Sequence, residues 1–245
     1  MKKYLSVFSL IAQNSIYRIF GILLLLAAAD GVLAWYWLYV EHYGLSNLFR
    51  NGNGGFGLVL AIVFAMVALV QIRRGDIYSG PQGYTMMRLA ISEKAVVLLQ
   101  IVYNMLVWLI LWGMQVLIIF LIFKIDSRFG ENAGDPLAGQ QIYLLFYISP
   151  LLHSLLPMEE TAAWIANVLI IIELSVAGAY WTILRREKKS TGEIFIGYFS
   201  VLLLFRRELG SVSNLIIIGG FSILILIDCY KLFFRKKEVQ LCGKP

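Results

Sequence analysis

Apolar runs of about 20 residues recur along this chain and leave little room for a water-soluble domain. A helix needs roughly 20 predominantly apolar residues to cross the ~30 Å hydrocarbon core of a bilayer. The stretches from Phe20 to Val40, Phe56 to Ile72, Ala95 to Phe123, Ala162 to Ile183 and Leu215 to Phe234 meet or nearly meet that length. Hydrophobic residues make up 60% of the 245 residues and charged residues 15%, with a mean hydropathy of +0.77. The expected fold is an all-α polytopic membrane protein, one membrane domain over residues 1–245 with about six transmembrane helices.

The net charge of +6 does not point to nucleic acid, because most basic residues flank the apolar runs, where Lys and Arg set orientation. Cys229 and Cys242 form no CxxC pair and no metal-binding spacing, which fits a reducing compartment and no disulfide framework. The N-terminus resembles a signal peptide in Lys2 and Lys3 and in Ala27 to Ala29, which mimic a cleavage site. Gln13, Asn14 and Arg18 break any apolar core, and apolar sequence continues through Val40, so no cleavage is expected. Leu5, Phe8 and Ile11 lie about one turn apart, and the segment reads as an interfacial amphipathic helix.

Trp35, Tyr36, Trp37 and Tyr39 close the first span as an aromatic belt. The loop from Glu41 to Gly55 contains Asn51-Gly52-Asn53-Gly54-Gly55 without a following Lys-Ser/Thr, so it reads as a turn and not a phosphate loop. Arg73, Arg74, Arg88 and Lys94 place segment 73–94 in the cytoplasm with both termini. The third span is long enough to tilt or protrude. It leads to an external region over 124–160.

Two short apolar runs allow two topologies. In the favoured one, 142–156 (interrupted by Pro150) dips into the membrane and returns, while 192–206 crosses. Arg185, Arg186, Lys188 and Lys189 then meet the cytoplasm, as does Arg235-Lys236-Lys237. In the rival, 142–156 crosses and 194–205 lies on the outer face. Both give six crossings.

No hydrolytic, redox or metal constellation is evident. His42 and His153 are the two histidines and form no HExxH. Glu159-Glu160 resembles the glutamate pair of intramembrane prenyl-protein proteases but lacks the arginine four residues on. There is no Walker sequence and no GxSxG, so the chain is not expected to be an enzyme, and no cofactor is expected.

The segment Gln82 to Gln100 reads as a short amphipathic cytoplasmic helix, a break near Ala90 to Ser92, and entry into the long span. Tyr84, Met87 and Ile91 share one side, and Gln82, Thr85 and Arg88 another. Ser92 followed by Glu93 and Lys94 suits a helix start. A short helix with exposed Met and aromatic side chains is a shape that docks into another protein's groove.

This layout resembles the membrane subunits of ABC-2-type transporters. In that family an interfacial helix precedes two spans, and a cytoplasmic coupling helix enters span three through a Leu-Pro-Ile/Val-Ser-Arg/Lys pattern. Here Leu89-Ala90-Ile91-Ser92-Glu93-Lys94 matches, except that Ala90 stands for the proline and Glu93 is inserted before the base. A second likeness runs from Tyr147 to Arg186: Ser149-Pro150, Pro157, a span, then Arg185-Arg186-Glu187. The resemblance implies a permease in a bacterial cell membrane, paired with a second permease subunit, identical or related, and with cytoplasmic ABC ATPase subunits. It implies outward transport driven by ATP hydrolysed in the partner. Tyr84, Thr85, Met86, Met87, Arg88 and Ile91 would form the ATPase-coupling surface. The alternative is a non-transporting immunity or sensor protein that binds a peptide or partner.

Asp30, Glu173 and Asp228 fall inside expected spans, where an isolated charge costs at least a few kcal/mol. Lys231, one turn on, accounts for Asp228. Asp30 and Glu173 have no cation within the spans, so each is expected either to be protonated or bonded to Gln100, Asn104, Gln115 or Asn167, or to line a translocation path. Trp108, Trp112, Met105 and Met114 read as packing.

Overall fold

The computed structural model describes residues 2–13, 15–41, 48, 53–73, 92–129, 143–147, 149–158, 160–186 and 211–234. All the regular structure among them is helical. The helices are α1 (Lys2–Gln13), α2 (Ile16–Trp35), α3 (Asn53–Arg73), α4 (Glu93–Phe129), α5 (Pro150–Leu155), α6 (Thr161–Arg186) and α7 (Ser211–Phe234). Five of these (α2 with its extension to Val40, α3, α4, α6 and α7) are long and apolar enough to span a bilayer. The chain is therefore an all-α, multi-pass membrane protein. Segment 82–91 and the run 192–206 lie outside the described residues, as does the C-terminal basic cluster.

The aromatic belt has its own geometry. α2 loosens after Trp35 into a π-helical turn, Tyr36–Val40, and Tyr36 OH donates to Glu41 Oε1 at 2.9 Å. The expected turn before the second span is shorter than the glycines suggest, because α3 already begins at Asn53.

α4 is the axis of the bundle. Its 37 residues correspond to about 55 Å of helix, longer than the run from Ala95 to Phe123 because it continues through Lys124, Asp126 and Arg128. Ser92 caps its start: Ser92 Oγ accepts from the Ala95 N–H at 3.4 Å, satisfying a donor that has no partner within the helix. α2 and α6 pack against α4, and α1 lies against its first half, while α3 packs on α2 and α6 and meets α4 through Phe64 and Trp108. Tyr103 holds α1 in place, with its ring edge-on to Phe8 at 5.8 Å and its hydroxyl 2.8 Å from Ser15 Oγ. The buried face of α1 is Val7 and Ile11, while Leu5 is 75% exposed. The expected Leu5–Phe8–Ile11 face is thus split, because protein and lipid are both apolar and both take hydrophobic residues.

Two ends of the bundle can be named by Ser15 and Val40. Beyond the Val40 end of α3, Phe146 stacks on Phe120 of α4 at 5.6 Å. The chain then breaks and restarts as α5, where Ser149 Oγ accepts from the Leu152 N–H and Pro150 stands in the first turn. α5 descends until Trp112 Nε1 donates to the Leu155 carbonyl at 3.0 Å. Asn167 Nδ2 donates to the Ser154 carbonyl at 2.9 Å, so the low point lies level with Asn167. That is about 9 Å, or six residues, below the start of α6. The chain therefore dips and returns before α6 runs antiparallel to α4.

α7 packs on α6 and is otherwise peripheral. Asn214 Nδ2 donates to Glu160 Oε2 at 2.8 Å, and Lys231 Nζ lies 5.4 Å from the centre of the Tyr180 ring. The two contacts put the beginnings of α6 and α7 at one end and their later turns together, so the helices run parallel.

Candidate functional site

A polar seam runs along α4 from Gln100 to Gln115. Gln100, Asn104, Trp108, Trp112 and Gln115 recur at three- and four-residue spacing and so share one side of the helix. Near the Ser15 end, Gln100 Nε2 donates to Thr182 Oγ1 at 2.7 Å, and that hydroxyl donates to the Gly178 carbonyl at 2.8 Å. Four residues on, Asn104 Nδ2 donates to the Ser175 carbonyl at 3.3 Å. Trp108 stacks on Phe64 of α3 at 4.7 Å, and Trp112 makes its bond to Leu155 while meeting Trp164 edge-on at 6.0 Å. Last in the series, Gln115 Nε2 donates to Asp30 Oδ2 of α2 at 2.9 Å. A small cavity, large enough for a water molecule, lies between Phe64, Trp108, Trp112, Leu155, Leu174 and the stem of Gln115. Its walls are apolar.

Asp30 thus finds one of the four partners expected for it. Both residues of the pair are fully buried. Glu173 does not join them. It faces α7, within electrostatic reach of Asp228 and Lys231, and its Oε2 is buried without a hydrogen-bond partner among the described residues. The expectation that no cation lies near Glu173 is corrected on this point: parallel packing of α6 and α7 brings Lys231 to it. Lys231 Nζ also lies 3.8 Å from Asp228 Oδ1. Asp30 and Glu173 therefore belong to different helix contacts and do not share one polar centre.

Among the partnerships not expected from sequence are Gln100 with Thr182, Tyr103 with Ser15, and Trp112 with the Leu155 carbonyl. The regular spacing of polar residues along α4 is the signal that marks the seam, although their partners are set by tertiary packing. Tyr84, Thr85, Met86, Met87, Arg88 and Ile91 lie outside the described residues. Glu160 is engaged by Asn214. Among the described residues no three His, Cys, Asp or Glu side chains gather as a metal site.

Chemically, the seam offers no nucleophile beside a base. It consists of amides, hydroxyls and one carboxyl bonded across helix contacts, each such bond in a bilayer typically contributing about 0.6 kcal/mol and at most about 2. No protein-family model, curated protein or solved structure matches the chain.

Proposed function

We propose that the chain is the membrane-spanning permease subunit of an ATP-driven exporter of the ABC-2 type, moving a substrate outward with ATP hydrolysed by a separate cytoplasmic subunit. The observation that carries this reading is how α4 begins. A helix about 55 Å long is capped at Ser92 directly after the segment read as a coupling helix. Its first half is braced by α1 through Tyr103 and by α6 through Gln100 and Asn104. A long helix gripped on two sides near its start transmits a displacement instead of bending locally, as coupling between a nucleotide site and a membrane path requires. The dip before α6 fits the outer half-helix and proline of the same family layout.

The proposed topology has six crossings, with both termini and segment 73–94 in the cytoplasm. Parallel packing of α6 and α7 supports it, since parallel neighbours leave residues 187–210 to carry the chain from one end of the bundle to the other. The rival topology, with 142–156 crossing, makes α6 and α7 antiparallel. Single cysteines placed at Gly80, Lys188 and Gln240, in a background lacking Cys229 and Cys242, are expected to be shielded from an impermeant thiol reagent in intact cells. One at Ala133 is expected to react. Labelling at Lys188→Cys alone would restore the rival topology and leave the permease reading standing.

The transport reading is tested by purifying the tagged chain in mild detergent from its native membrane. A co-purifying subunit with ATPase activity, lost on separation from the chain, is the expected result. A chain that leaves the native membrane alone and is associated with no ATP hydrolysis overturns the exporter in favour of the immunity or sensor alternative.

A further inference from the structure

The contact between α2 and α4 is short of one hydrogen. Gln115 Nε2 donates to Asp30 Oδ2 at 2.9 Å, but Asp30 Oδ1 and Gln115 Oε1 are both buried with no hydrogen-bond partner among the described residues. Both side chains are sealed from solvent, each 0% exposed. An ionised carboxylate only accepts hydrogen bonds, and an amide oxygen only accepts as well. Two orphaned acceptors therefore sit on two groups already joined by one hydrogen bond. Nothing compensates a negative charge there. Among the described residues no charged side chain acts on Asp30, and Gln115 is its hydrogen-bonding neighbour; the titratable group on the short helix α5, whose Leu155 lines the same cavity as Gln115, is His153.

We propose that Asp30 is a proton-binding site, and that its proton, carried on Oδ1, is donated to Gln115 Oε1 to close a reciprocal acid–amide pair between α2 and α4. One hydrogen then satisfies both orphaned atoms: Nε2–H to Oδ2 in one direction and Oδ1–H to Oε1 in the other. A bridging water also supplies hydrogens, but it leaves a carboxylate charge inside apolar surroundings, which is the costlier arrangement. When the proton passes to water, a carboxylate oxygen is left facing an amide oxygen. The second hydrogen bond is lost, the buried charge is uncompensated, and the contact opens. Gln115 borders the small cavity beside Trp108 and Trp112. The pair is a proton-dependent latch between the first and third long helices, and it stands whether or not an ATPase binds this chain.

Infrared spectroscopy of the full-length protein in lipid nanodiscs at neutral pH tests the site, in a Glu173→Gln, Asp126→Asn background that removes the other two buried carboxyls among the described residues. A carbonyl band of a protonated carboxylic acid, sensitive to deuterium exchange, is expected and is lost in Asp30→Asn. Asparagine replaces the O–H donor with an N–H donor, so its melting temperature is expected to stay within about 2 °C of the parent, whereas Asp30→Leu falls by about 2–4 °C. Gln115→Leu keeps the acid band but shifts it, because the hydrogen-bond partner is gone. Absence of the band before the Asp30 substitution, its persistence in Asp30→Asn, or an unshifted band in Gln115→Leu overturns the proposal.

Discussion

Replacing Trp108 with alanine is expected to cost the folded bundle about 3 kcal/mol, the scale of a large buried side chain removed without full collapse of the space it leaves. Trp108 is 2% exposed and stacks on Phe64 at 4.7 Å, and it already borders the small cavity. In a bilayer the loss is not one of transfer from water, since lipid tails are as apolar as the core. What disappears is dispersion contact on all sides of the ring. Trp108→Phe keeps a stacking partner for Phe64 and should lose less. Leu106→Ala is the control, because Leu106 is 43% exposed and its side chain exchanges protein-free surface for lipid. Unfolding midpoints in a denaturing detergent titration provide the measurement. Equal losses for Trp108→Ala and Leu106→Ala would mean that α3 and α4 are not packed through this stack.

The largest functional effect is expected at the segment preceding α4. If Tyr84, Thr85, Met86, Met87, Arg88 and Ile91 engage an ATPase, replacing Met86, Met87 and Arg88 together should leave insertion and melting unchanged while lowering substrate-stimulated ATP hydrolysis about fivefold or more, the range of a typical allosteric coupling. Two methionines offer adaptable apolar contact in a groove, and an arginine adds a directional charged contact. The stretch feeds directly into a helix whose start is capped by Ser92 and braced by α1 and α6. Reconstituted complexes with and without the triple substitution provide the comparison. Unchanged stimulation with normal assembly removes the coupling role from these residues, and a failure to assemble locates them in the docking surface.

The spans were legible because crossing a bilayer is a local property: about 20 apolar residues suffice whatever they pack against. α2, α3, α6 and α7 begin and end within a few residues of the runs that announced them. The Ser92 start of α4 was legible for a similar reason, since a cap satisfies backbone groups two or three residues away. Which face of each helix is buried was not legible. In water an amphipathic stripe separates core from solvent, but here protein and lipid both accept apolar side chains, so Val7 is buried and Leu5 exposed with no contrast between them in sequence. Gln100, Asn104 and Gln115 were legible as candidate partners for the buried carboxyls, and only packing decided that Gln115 meets Asp30 while Gln100 meets Thr182. The favoured topology already implied that α6 and α7 run parallel, but only packing carried Lys231 toward Glu173. Apolar length belongs to each segment by itself; the partner of a buried polar group is chosen by which helices become neighbours.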